Sequence, residues 1–119
     1  YKFGSYTVRE REEEEANKLK VDAKLLEELG CFGIVLEKVP SALAKEVAES
    51  ISIPVIGIGA GDGVDGQVLV THDMLGMTHE FSPRFLRRYL DLYIEMGNAF
   101  KNYIGDVKSR DFPNKDEQY

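Results

Sequence analysis

The chain has 119 residues, enough for one small domain, and 15 Lys+Arg against 21 Asp+Glu leave a formal charge of −6. That balance excludes the basic stripe needed to neutralise nucleic-acid phosphates and argues against docking on anionic lipid. A hydrophobic share of 43% excludes disorder by composition, and the single cysteine, Cys31, excludes an intrachain disulfide.

Residues 1–8 read as a loop or short extended piece broken by Gly4 and Ser5, with no basic region leading into an apolar stretch, so no signal peptide is expected. No apolar run reaches a membrane span of roughly 18 residues. From Arg9 to Leu29 the pattern predicts a helix, with Ala16, Leu19, Ala23 and Leu26 on one stripe. The acidic run Glu12–Glu15 suits the positive end of the helix dipole as a solvated start, and Glu14 with Lys18 forms an i,i+4 pair. Gly30 stands where a helix stops. Cys31 to Glu37 is a nearly continuous apolar run, the mark of a strand buried on both faces. Cys31 itself reads as a small buried hydrophobe. Ser41 reads as the N-cap of a helix to Ser50 with Leu43, Ala44, Val47, Ala48 and Ile51 on its apolar face. Residues 54–58 predict a second buried strand, residues 59–66 a glycine-rich loop, and Val68 to Val70 a third strand. Ser82 and Pro83 signal the start of a long helix to Ile104, followed by a polar, extended tail over residues 105–119. Strands alternating with helices imply an α/β fold with a parallel sheet. Three strands leave two edges and too little cover, as in part of a larger sheet or barrel.

Glu37 is the sharpest candidate site residue. It closes an apolar strand at its carboxyl end, where α/β barrels place catalytic groups. It could equally have left the sheet to pair with Lys38, and spacing alone leaves both readings open. The sequence Gly61-Asp62-Gly63-Val64-Asp65-Gly66 formally fits a dinucleotide fingerprint, but a strand rather than a helix follows it and two aspartates would repel phosphate. The loop also fails the spacing of an EF-hand. Its glycines indicate a tight turn or the close approach of a ligand, and Asp65-Gly66 alone is compatible with a simple turn. His72, Asp73 and His79 have weak metal-ligand spacing and read better as structural.

Three segments in order resemble the ketopantoate hydroxymethyltransferase family: Val35-Leu36-Glu37-Lys38-Val39-Pro40, Ile53-Pro54-Val55-Ile56-Gly57-Ile58-Gly59-Ala60-Gly61, and Asp65-Gly66-Gln67-Val68-Leu69-Val70-Thr71-His72-Asp73. Tyr1 to Arg9 resembles the loop after the family's fifth strand, and Phe112-Pro113 its C-terminal tail. The resemblance implies the C-terminal portion of a (βα)8 TIM barrel, strands six to eight, with the first five strands outside these residues. It implies transfer of a hydroxymethyl group from 5,10-methylenetetrahydrofolate to 3-methyl-2-oxobutanoate, giving 2-dehydropantoate for pantothenate and coenzyme A synthesis. It further implies Glu37 as the catalytic base that removes the C3 proton, and Gly59, Ala60 and Gly61 as substrate-binding residues. The Mg²⁺ that polarises the 2-oxo acid is implied too, with ligands outside this segment. A cytoplasmic homo-oligomer, inactive without the N-terminal half of the barrel, is expected. Two other readings stand beside it: a lyase of the phosphoenolpyruvate/pyruvate barrel group, and a non-catalytic half-barrel used in assembly.

Overall fold

The computed structural model describes residues 4–119, with side chains from residue 12 onward. The chain divides into two units, Tyr1–Val68 and Leu69–Tyr119. The expected behaviour of residues 1–3 lies outside the described residues.

The first unit is built from two helices and a parallel sheet. Helix α1 (Gly4–Glu28) begins ahead of the Arg9 start that the sequence predicts, so residues 4–8 are helical rather than a loop. It ends as predicted at Gly30, which takes φ 89. The Gly30 N–H donates to the Glu27 carbonyl at 3.0 Å and the Cys31 N–H to the Leu26 carbonyl at 3.0 Å, the paired bonds of a Schellman stop. Cys31 is half-buried there rather than buried. Lys18 reaches forward to Asp22 at 2.6 Å, one turn on from the Glu14 partner expected for it.

Strand β1 (Ile34–Glu37), helix α2 (Ser41–Ser50) and strand β2 (Val55–Ile58) follow. Ser41 is the first helical residue of α2 and not its cap: Pro40 stands at the N-cap and makes no side-chain cap bond. Strand β3 is Gly66–Gln67, earlier than the Val68–Val70 segment the apolar pattern suggested. The Val68 N–H still donates to the Gly57 carbonyl at 3.0 Å, so the ladder ends there. The sheet has the order β1-β2-β3, all parallel, with Ile34 opposite Val55, Glu37 opposite Ile58 and Ile56 opposite Gly66. Among the described residues the outer edges of β1 and β3 have no strand neighbour.

Alternation along the strands decides what each face does. Leu36 and Val55 are buried with Ala23 of α1 and Ala44 and Val47 of α2, and Ile34 packs against that cluster. One sheet face therefore meets the helices. Val35 and Glu37 project from the opposite face, and Val35 is 63% exposed there. Lys20 pairs with Glu46 across the two helices. At the far end Glu27 accepts from the Ser52 N–H at 2.6 Å and from its hydroxyl, which fastens α1 to the loop before β2.

In the second unit, helix α3 (Thr71–Met74) was not expected from the sequence. Helix α4 (Leu92–Ser109) starts well after Pro83 and runs on past Ile104 into the predicted tail. Asp91, not Ser82, caps it, and the Asp91 carboxylate accepts from the Ile94 N–H. The reason is tertiary. Arg88 donates to the carbonyls of Thr78, His79 and Phe81, and the Tyr89 N–H bonds the Met74 carbonyl at 2.9 Å. Those bonds hold residues 78–91 in a loop against the local helix signal. After α4, Asn114 and Glu117 form a capping box on a short 3-10 turn. No helix among the described residues is long and apolar enough to cross a membrane.

Candidate functional site

The site is best approached from the carboxyl ends of β1 and β2. In parallel strands these ends lie side by side, and here Glu37 and Ile58 are register partners. Glu37 is the last residue of β1, on the face away from α1 and α2. It has therefore not left the sheet, although it does also meet Lys38: the Lys38 Nζ lies 3.9 Å from its Oε1. The pairing with Lys38 is thus made from within the sheet. The Lys38 N–H donates to the Ile58 carbonyl at 2.9 Å, extending the ladder one bond beyond the strand.

Lys38 is a residue that sequence reasoning passed over. Its φ of 53 places it in the left-handed region, where a side chain with a Cβ is disfavoured. The turn directs the chain away from the sheet edge into Val39 and Pro40 and on to α2. No local signal announces it, because lysine is not a turn former of this kind.

Gly59, Ala60 and Gly61 follow Ile58 directly, so all three begin at the same end of the sheet as Glu37. Their surroundings differ from the substrate-lining role expected of them. Ala60 is fully buried in the core with Val47 and Val55, backbone included. Gly61 takes φ 77, and a Cβ there would lie 2.4 Å from the Ser41 Cβ at the start of α2. The loop therefore lies against α2, and its carbonyl at Gly61 is held by the Gln67 amide at 2.8 Å.

This geometry explains the glycine richness. Residues 59–65 carry the chain from the top of β2 back to the bottom of β3, a parallel crossover. Such connections ordinarily take a dozen or more residues and a helix. A shorter one must hug the neighbouring helix, and glycine permits the approach. Asp65 closes the crossover. Its N–H donates to the Val55 carbonyl at 3.0 Å, and its carboxylate accepts from the Val55 N–H at 2.8 Å. Asp65 is thus a strand-start cap rather than a free acid, and strand β3 follows the glycines directly.

His72 lies in α3, and the His79 ring stacks on Tyr93 with centroids 5.0 Å apart. Among the described residues no three His, Cys, Asp or Glu groups come together to hold a metal ion.

A profile of the ketopantoate hydroxymethyltransferase family matches residues 1–115. Proteins named 3-methyl-2-oxobutanoate hydroxymethyltransferase are similar along the whole chain. That of Christiangramia forsetii is 78% identical over 119 residues, covering 100% of this chain and 44% of its own length. That of Flavobacterium johnsoniae is 71% identical over 119 residues, again 100% of this chain and 44% of that protein. That of Porphyromonas gingivalis is 70% identical over 118 residues, 99% of this chain and 43% of that protein. The chain thus spans less than half the length of the curated relatives it matches.

Proposed function

The chain belongs to the ketopantoate hydroxymethyltransferase family, and from that premise we propose that it forms the base-bearing portion of an enzyme of that activity. The reaction is transfer of a hydroxymethyl group from 5,10-methylenetetrahydrofolate to 3-methyl-2-oxobutanoate, giving 2-dehydropantoate. In this reading β1, β2 and β3 are strands six, seven and eight of a (βα)8 barrel. The face carrying Val35 and Glu37 is its interior, and the carboxyl ends of the strands are its mouth.

The observation that carries the reading is the placement of Glu37. It is an acid at the end of an otherwise apolar strand, at the edge where parallel α/β sheets gather their chemistry, and on the face the helices leave open. Glu37 is the base. Its carboxylate takes the C3 proton of 3-methyl-2-oxobutanoate, and the electron pair left behind forms the carbon–carbon bond to the one-carbon unit; both C–N bonds of that methylene break, water supplies the hydroxyl oxygen in their place, and tetrahydrofolate leaves. The proton held on Glu37 is returned to the new hydroxyl oxygen, which restores the carboxylate. Gly59 and Gly61 contribute backbone at the same mouth. Mg²⁺, when bound, supplies Lewis-acid polarisation of the 2-oxo acid. Its ligands, like the substrate's remaining contacts, come from the portion of the barrel outside these residues. Assembly into a homo-oligomer belongs to the same proposal.

The test is a chimera in which this chain replaces the matched segment of the Christiangramia forsetii relative. With Glu37→Gln in that chimera, both hydroxymethyl transfer and exchange of the C3 proton with D₂O should fall by about 10²-fold or more, the ordinary worth of a positioned base. The far-ultraviolet circular dichroism should be unchanged. Exchange within threefold of the parent chimera would remove Glu37 from the role of base.

A further inference from the structure

We propose that Lys38 is a positioning residue for Glu37, a role that rests on Glu37 being the base. The first observation is the backbone. Lys38 follows the last residue of β1 and holds φ 53, a conformation in which glycine or asparagine is the ordinary occupant. Its N–H is fixed to the Ile58 carbonyl at 2.9 Å, so the main chain is pinned on both sides of the Glu37 carbonyl. Outlying backbone of this kind survives only where its surroundings over-determine it, and it gathers at functional sites.

The second observation is the side chain. From the left-handed turn the Lys38 ammonium comes within 3.9 Å of the Glu37 Oε1. The other cations of this region are engaged elsewhere: Lys20 pairs with Glu46 and Lys45 lies near Glu49. A glycine would form the same turn without strain, so the turn alone does not account for a lysine. The ammonium does. A carboxylate on a strand end, 65% exposed, has several rotamers open to it, and a cation 3.9 Å from one oxygen favours those that keep the pair together. The pair is solvated and modest in strength, so the effect expected is one of orientation and limited in size.

Three substitutions in the same chimera separate the parts. Lys38→Gly keeps the turn and removes the ammonium. It should raise the melting temperature by relieving the backbone, yet lower kcat about threefold with KM unchanged, the size of effect an exposed ion pair supports. Lys38→Gln retains the strained backbone and the side-chain length but not the charge; it should lower kcat equally with no gain in melting temperature. Lys38→Arg restores the charge and should hold kcat at the parent value. Equal kcat in all four proteins would overturn the proposal, as would a loss confined to KM, which would make Lys38 a substrate contact. Glu37→Gln assayed beside them separates the two readings. If it keeps C3 exchange, the base assignment falls and this inference with it. If it loses exchange while the Lys38 variants match the parent, only the inference falls.

Discussion

Replacing Gly61 by alanine tests whether this glycine serves the fold or a ligand. The new Cβ would sit 2.4 Å from the Ser41 Cβ and 3.1 Å from its Cα, well inside the roughly 3.5–4.0 Å at which carbon atoms pack without repulsion. Ser41 cannot retreat freely, because it opens α2 and α2 carries Ala44 and Val47 into the core. Overpacking of this kind costs about 1–3 kcal/mol. The φ of 77 adds about 1–2 kcal/mol for a residue with a Cβ. Stiffening of the unfolded chain returns about 0.4–1 kcal/mol. The net expectation is a loss of about 1–5 kcal/mol, read as a shift in the urea midpoint of the chimera at constant m. Ser41→Gly in the same protein removes the Cβ that the alanine strikes but leaves the backbone term. The double variant should then recover about 1–2 kcal/mol of coupling. A loss below about 0.5 kcal/mol together with collapse of kcat/KM would refute the packing argument and return Gly61 to a substrate-facing role.

Other consequences follow from individual bonds. Asp65→Ala strips the acceptor from the N–H of fully buried Val55 and should cost about 1–3 kcal/mol in urea unfolding. Asp65→Asn retains an acceptor and should cost clearly less; equal losses would mean that charge, not the hydrogen bond, matters. The Ser52 hydroxyl and N–H hold the Glu27 carboxyl below its usual value of 4.5. A depressed carboxyl stabilises the fold above its unfolded value and loses that contribution as pH falls through the folded one. Stability should therefore decline with acid below about pH 4.5, and Glu27→Gln should flatten that decline; an unchanged slope would discount the tie. The isolated chain should associate or melt without cooperativity in size-exclusion chromatography and circular dichroism, because among the described residues two strand edges have no strand neighbour and Val35 is 63% exposed. A compact monomer with a sharp transition would show that it is self-sufficient.

Much of the first unit was legible from sequence because local and tertiary signals agree there. Gly30 stops α1 where a C′ glycine should, and the β-branched run Ile34-Val35 followed by Leu36 forms β1 as its composition suggests. Glu37 stood out for the physical reason that an acid seldom ends an apolar strand without use. The failures have a common cause, which is local chemistry overruled by contacts distant in sequence. Val68 to Val70 look more like a strand than Gly66-Gln67 do. Yet the crossover delivers Gly66 opposite Ile56, and register decides the pairing. Ser82-Pro83 is a strong helix start, but one terminal nitrogen of Arg88 donates to three carbonyls and holds that stretch open until Asp91. Lys38 gave no signal at all, since its left-handed backbone is imposed by the Ile58 carbonyl and the turn into α2.

The short crossover also bears on how Glu37 is held. A helix between β2 and β3 would have packed beside α2 on the outer face and covered the sheet from its own side. Residues 59–65 instead press directly on α2, with Gly61 at Ser41 and Gly63 against the Lys45 stem. Helix α2 is thereby fixed between this loop and α1, and its first residue is only a short step from the Lys38 turn. The position of that turn, and with it the end of β1, is set by two constraints: the bond from Lys38 to Ile58 within the sheet, and the seating of α2 by the glycine crossover. Loosening either constraint should release the same strand end. Gly61 should therefore influence the end of β1 through the helix whose start it supports, whatever its backbone offers at the mouth.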